Sequence, residues 1–320
     1  MAHPERSIRT WPAYAAAAGG GALATAGLVR ALLAPRDPSP AAVFMAAASC
    51  VVVVLAATAG RLGRLPPVRS LAAAPVLGLL LAAGAHLALV LPLAIVYPPA
   101  QDLVDVIVGR PGGDELDARL IVVLLVTAGV LAPLTEEPAK AVSGGFARAG
   151  SRSAAFLAGA TAGAGFSIVE HAFYSLPVAG YGETWVQVLL LRSASAAMHP
   201  LASGLVFLGW WEARRAGTKA PLIRGLLLGI GIHAVWNVTA VVAEGFATAS
   251  RAGAFPRSVE AAALTYAGAI AILIAVAMWR TVTSLRAGSA PERPSGRAWA
   301  ALVAGLAGPL ALLPVVLPRL

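Results

Sequence analysis

Apolar stretches of roughly 20 residues recur along the whole 320-residue chain, and each is long enough to cross a hydrocarbon core about 30 Å thick as a helix. Charged residues make up only 12% of the sequence and apolar residues 58%, against roughly a quarter charged in an ordinary soluble domain. Lipid therefore replaces much of the water that would drive burial, and packing of small residues inside the bilayer does the rest. The expected fold is an all-α, polytopic transmembrane helix bundle. About nine spans are predicted, or eight, at 11–33, 40–60, 71–97, 119–141, 153–176, 184–211, 222–243, 259–279 and 298–317. The stretch after the N-terminal MAHPERSIRTW reads as an uncleaved first span. Gly- and Ala-rich segments such as GATAGAG at 159–165 predict close approach of helix backbones. No repeat is evident, and residues 1–320 read as a single membrane domain.

Loop charge orients these spans. With the N-terminus on the cytoplasmic side, 15 basic residues fall inside and six outside, the bias expected of the positive-inside rule. The net charge of +9 is thus assigned to membrane orientation, and nucleic-acid binding is excluded. The loop at 101–119 carries Asp102, Asp105, Asp114, Glu115 and Asp117 and becomes an acidic outer loop, with solvated charge as its simplest role. The lone Cys50 sits in an apolar run and reads as a small buried hydrophobe.

Against this background, ionisable residues inside spans are costly, at least about 2.5–3.5 kcal/mol each at the bilayer centre. The fourth to seventh spans collect them. The fourth ends in Pro133-Leu-Thr-Glu136-Glu137-Pro138-Ala-Lys140. Glu136 and Lys140 are i, i+4 and Glu137 and Lys140 are i, i+3, so all three group on neighbouring helix positions. Pro138 and Pro133 each remove a backbone donor and free a carbonyl, which is tolerated at depth where it lines a cavity. A cluster solvated at the cytoplasmic interface is the simpler alternative. The fifth span carries Glu170, with Tyr174 one turn later; a structural Glu near the outer interface competes with a functional one. The sixth carries Arg192 and then Ser195, His199 and Ser203 at i, i+4 spacing. The seventh carries His233 and Asn237 on one face, where the amide could orient the imidazole or a water. His86, His171 and Arg30 read as bystanders. Four consecutive helices pooling carboxylates and imidazoles imply a shared polar site within 119–243. Such groups suit a catalytic zinc with one open position, and equally a metal-free Glu/His pair that activates water.

Motifs of other chemistries are missing from the sequence. It has no HExxH, no GxSG nucleophile loop, no pair of membrane aspartates, and no dinucleotide or P-loop glycine motif. What it has is Glu136-Glu137-x-x-Lys140, then Gly165-Phe166-x-x-x-Glu170-x-x-x-Tyr174, then Arg192 with His199, then His233-x-x-Trp236-Asn237. In order and spacing this set resembles the PrsW family of bacterial intramembrane proteases, relatives of the CAAX-prenyl endoproteases. The resemblance covers roughly residues 122–242 and makes 119–243 the catalytic four-helix core. It implies an intramembrane endopeptidase in a bacterial plasma membrane, cutting a membrane-anchored protein such as an anti-sigma factor. Carried onto this chain, it implies Glu136 as the water-activating base and Glu137 as its support or a metal ligand. Glu170, His199 and His233 become ligands or orienting and oxyanion groups, and Asn237 holds the water or the oxyanion. The implied divalent metal, expected to be zinc, would draw on Glu137, Glu170, His199 and His233, with Lys140, Tyr174 and Arg192 in support; a metal-free mechanism stays open. Glu170 stands where the CAAX branch has His, and Lys140 stands one residue before that branch's Arg, so prenyl-CAAX cleavage is not expected. A proton-coupled transporter or a non-catalytic binding scaffold would use the same buried pocket, although no paired discontinuous helices of a two-fold transporter repeat are visible.

Overall fold

The computed structural model describes residues 40–67, scattered positions between 69 and 88, 125–175, 185–251, and 253–287 apart from 254. Among these residues every regular element is helical and none is a strand. The elements are α1 (Pro40–Leu62), a π-helical turn (Thr127–Leu131) leading into α2 (Ala132–Gly144), α3 (Arg152–Ser175), α4 (Trp185–Ala194), a 3-10 turn (Ser195–Ala197), α5 (Met198–Ala216), α6 (Ala220–Arg251) and α7 (Arg257–Ala287). Among the described residues, four helices have the length and apolar composition to cross a membrane: α1, α3, α6 and α7, over Val43–Leu62, Arg152–Tyr174, Ala220–Ala247 and Arg257–Ala287. The expected spans at 11–33 and 298–317, and most of that at 71–97, lie outside the described residues. The expected sixth span differs from the single helix anticipated. It is broken at Ser195–Ala197 into α4 and α5, because the Ser195 hydroxyl turns back to donate to the Arg192 carbonyl at 2.8 Å and so competes with the regular backbone ladder.

The chain divides into two compact units, Met1–Val68 with Ser167–Ala196 and Trp279–Leu320, and Arg69–Phe166 with Ala197–Met278. In the first, α1 packs on α4 through Val43, Ala46, Ala47, Val188 and Leu189. Alanines along α1 let the two backbones approach where lipid provides no hydrophobic drive. The Arg61 guanidinium lies 4.6 Å from the centre of the Trp279 ring, a cation–π contact at the end of α1.

The second unit is built on α5 and α6, an antiparallel pair joined by a short turn. Gly217 ends α5 with a φ of 67°, the left-handed conformation that a residue without Cβ adopts at no steric cost. The two helices then run in close contact, since a Cβ on Gly209 would come within 2.5 Å of the Pro221 carbonyl oxygen. The segment at 159–165 behaves as its composition predicts. Gly159 and Gly163 on α3 lie against the backbone carbonyls of Ser203 and His199 on α5, and a Cβ at either position would collide with them. This close crossing sets His199 and Ser203 in the interior of the unit.

The entry to α2 is irregular. Proline at 133 cannot donate to the preceding turn, and the backbone widens to a π-turn over Thr127–Leu131. Side chains take up carbonyls here: Thr135 Oγ1 donates to Leu131 at 3.0 Å and to Ala132, the first residue of α2, at 3.1 Å, and Asn237 Nδ2 on α6 donates to Ala128 in the π-turn at 2.8 Å. The helix then continues through Pro138 to Gly144.

Candidate active site

The site lies in the second unit and is assembled from α2, α5 and α6. The i, i+3 and i, i+4 spacings on α2 bring Lys140 Nζ to 2.9 Å from Glu137 Oε1 and 2.9 Å from Glu136 Oε2. From α5, His199 Nδ1 comes to 3.0 Å from the same nitrogen. The ammonium thus has an acceptor for each of its three N–H bonds, and the face of Phe166 lies over it at 4.1 Å. Lys140 and Glu137 are both fully buried. A buried charge is tolerable when it is paired and its hydrogen bonds are satisfied, and this arrangement meets both conditions.

The two adjacent acids have different surroundings. Glu137 Oε1 accepts from Lys140 and from His233 Nδ1, the latter at 2.8 Å, and its Oε2 accepts from Ser203 Oγ at 2.8 Å. This carboxylate is held by three side chains from three helices. Glu136 keeps 16% of its side-chain surface exposed, and both Lys140 and, at 3.9 Å, His233 Nε2 address its Oε2. The more accessible acid is therefore Glu136, and Glu137 is the anchor.

His233 shows what the cluster can hold. Donation from Nδ1 to Glu137 fixes the proton on that nitrogen, which leaves a lone pair on Nε2. The Nε2 atom is buried without a hydrogen-bond partner. A buried polar atom with nothing to bind is unfavourable, and a carboxylate behind an imidazole whose other nitrogen is free is the arrangement that orients histidine ligands to metals. Glu136, His199 and His233 each offer a ligand atom, all within 4.8 Å of one another. The His199 and His233 rings meet edge to face with centroids 4.8 Å apart. The donor set, one carboxylate and two imidazoles, suits a catalytic zinc.

Residues 66–257, more than half of the chain, match the family model described as PrsW family intramembrane metalloprotease. The chain belongs to the PrsW family. It is therefore an intramembrane protease, a hydrolase of peptide bonds that works on protein substrates in a membrane, in a family of metalloproteases. Comparison with curated proteins and with solved structures returns no match.

Not every residue singled out in this PrsW chain falls in that cluster. Asn237 is spent at least in part on the α2 entry, through its bond to Ala128. Glu170, Tyr174 and Arg192 belong to the first unit. There Arg192 Nη1 lies 3.5 Å from Glu170 Oε1 and its guanidinium stacks 3.8 Å from the centre of the Tyr174 ring. His171, read as a bystander, is fully buried, with Nε2 3.2 Å from Ser195 Oγ, and so ties the end of α3 to the 3-10 turn. Two members of the cluster had no role assigned from the sequence. Ser203 sits one turn after His199, which was the signal for it. Phe166 stands in the Gly165-Phe166 motif, but nothing in its spacing announces that its ring would cover Lys140.

Proposed function

We propose that the chain hydrolyses a peptide bond of a membrane-anchored protein with a water molecule activated at Glu136, His199 and His233. The observation that carries this reading is the buried Nε2 of His233, unpartnered and 3.9 Å from the carboxylate of Glu136. In this reading those three residues would hold a divalent metal, zinc by the chemistry of the set. When bound, that metal supplies Lewis acidity, which makes water a better nucleophile and polarises a carbonyl. The protein's own groups do the rest. Glu137 keeps the proton of His233 on Nδ1, and Ser203 and Lys140 keep Glu137 in place. Glu136 has one oxygen to spare beyond the ligand set; as the accessible acid, it takes the proton released by the attacking water and returns it to the leaving amine, the role of a general base and then a general acid. Asn237 acts as a positioning residue, holding the π-turn from which α2 departs. The supporting ion pair of Glu170 and Arg192 stays outside the chemistry.

An anti-sigma factor is the substrate class, and a bacterial plasma membrane the location, that the family resemblance supports. Nine spans with a cytoplasmic N-terminus follow from the hydropathy and the loop charge.

The test is cleavage of a single-pass reporter substrate in proteoliposomes. Glu136→Gln preserves shape and removes the base, and should lower the cleavage rate by a factor on the order of 100 or more while the protein remains folded. Cleavage at the wild-type rate by that variant would exclude Glu136 as the base.

A further inference from the structure

Lys140 stands where the metal-ligand set needs its lone pairs. Its Nζ is 2.9 Å from Glu136 Oε2 and 3.0 Å from His199 Nδ1, and both residues belong to the trio that could hold a metal. A lysine ammonium only donates, so His199 Nδ1 is the acceptor and the single ring proton sits on Nε2. In that tautomer His199 has no lone pair left for a metal. If the metal is taken at Nδ1, it needs the lone pair that Lys140 holds. If it is taken at Nε2, the ring proton must move to Nδ1, where it points at an N–H of Lys140. Either way the bond from Lys140 to His199 has to break.

We propose that Lys140 is the resident counter-cation of the metal-free site, and that a divalent metal binds by displacing its Nζ from His199. This rests on Glu136, His199 and His233 being the metal ligands. Until displaced, the ammonium keeps two buried or half-buried carboxylates and an imidazole drawn together, so the ligand set does not spring apart when empty. Once displaced from His199, Nζ still has a partner in Glu137 Oε1, 2.9 Å away in this structure, with the ring of Phe166 beside it. Lys140 thus sets how tightly the metal is held and keeps the empty site assembled.

The experiment uses full-length protein in nanodiscs, with zinc and cobalt as probes. Lys140→Met removes the ammonium and keeps the length of the stem. Because metal binding no longer has to break a charged hydrogen bond, the substitution should tighten the apparent affinity for both metals by a factor on the order of ten, lower the melting temperature of the metal-free protein, and enlarge the upward shift that zinc produces. Unchanged or weakened metal affinity would overturn the proposal. Nitrogen-15 spectra of wild-type protein labelled at histidine provide a readout that does not depend on the variant folding. Metal-free His199 should show the Nε2–H tautomer, and zinc should change its pattern. A metal-free His199 protonated at Nδ1 overturns the proposal whatever Lys140→Met does. If wild type binds zinc but Lys140→Met leaves affinity and stability unmoved, this inference fails and the ligand assignment stands. If neither protein binds zinc or cobalt, the ligand assignment fails and the inference falls with it.

Discussion

His233 Nδ1 lies 2.8 Å from Glu137 Oε1, and this one bond links the anchoring acid of α2 to the imidazole of α6. It fixes the tautomer of His233 and turns its free nitrogen toward Glu136. Glu137 is also the acceptor for Lys140 and Ser203, so its removal should be felt as a structural loss before it is felt as a chemical one. Glu137→Ala leaves the Lys140 ammonium and the His233 N–H buried without their main partner. A destabilisation of about 3–5 kcal/mol is expected, the range for breaking a buried ion pair from one side. Thermal unfolding in nanodiscs would show it as a lowered midpoint, and an unchanged midpoint would remove Glu137 from its anchoring role.

A second prediction concerns the crossing of α3 and α5. A Cβ on Gly163 would strike the carbonyl of His199, so even Gly163→Ala must push the α5 backbone away. Overpacking of this kind costs roughly 1–3 kcal/mol. Because the displaced residue belongs to the proposed ligand set, metal affinity should fall together with the melting midpoint. Gly150 has open space around its Cβ position and serves as the control, where alanine should leave both quantities at the wild-type value.

Asn237 separates a positioning role from a direct one. Its amide donates to the Ala128 carbonyl in the π-turn. Asn237→Leu removes that bond and should cost about 1 kcal/mol of stability, the low end of the penalty for leaving an acceptor unsatisfied, because the Ala128 carbonyl is only partly buried. If Asn237 instead acted by hydrogen-bonding the oxyanion alone, kcat would fall with no change in the melting midpoint. Measuring both on the same preparation decides between the two.

Much of this arrangement could be read from the chain. The pairing of Lys140 with Glu136 and Glu137 follows from their spacing on one helix, because i, i+3 and i, i+4 neighbours meet wherever the helix sits. The small residues at 159–165 announced a close crossing, since a glycine in an apolar run has few other uses. The partners on other helices were not legible. Ser203 could be placed on the His199 face, but its bond to Glu137 is a tertiary contact with no local signature. The break at Ser195–Ala197 was hidden because a hydropathy window registers apolar character and not where the backbone hydrogen bonds run. The two acids could not be told apart for the same reason. Adjacent residues on a helix point about 100° apart, and which of them meets His233 and Ser203 depends on how α2 is rotated in the packed unit. The ion pair of Arg192 with Glu170, 3.5 Å apart, joins two different helices and likewise had no local signature.

Whether Glu136, His199 and His233 form a metal site is decided by the metal content of purified protein. Wild type should carry about one tightly held divalent ion per chain, His233→Ala should lose that ion, and Glu170→Gln should retain it. An ion content that is the same in wild type and His233→Ala, or that disappears in Glu170→Gln, would contradict that assignment.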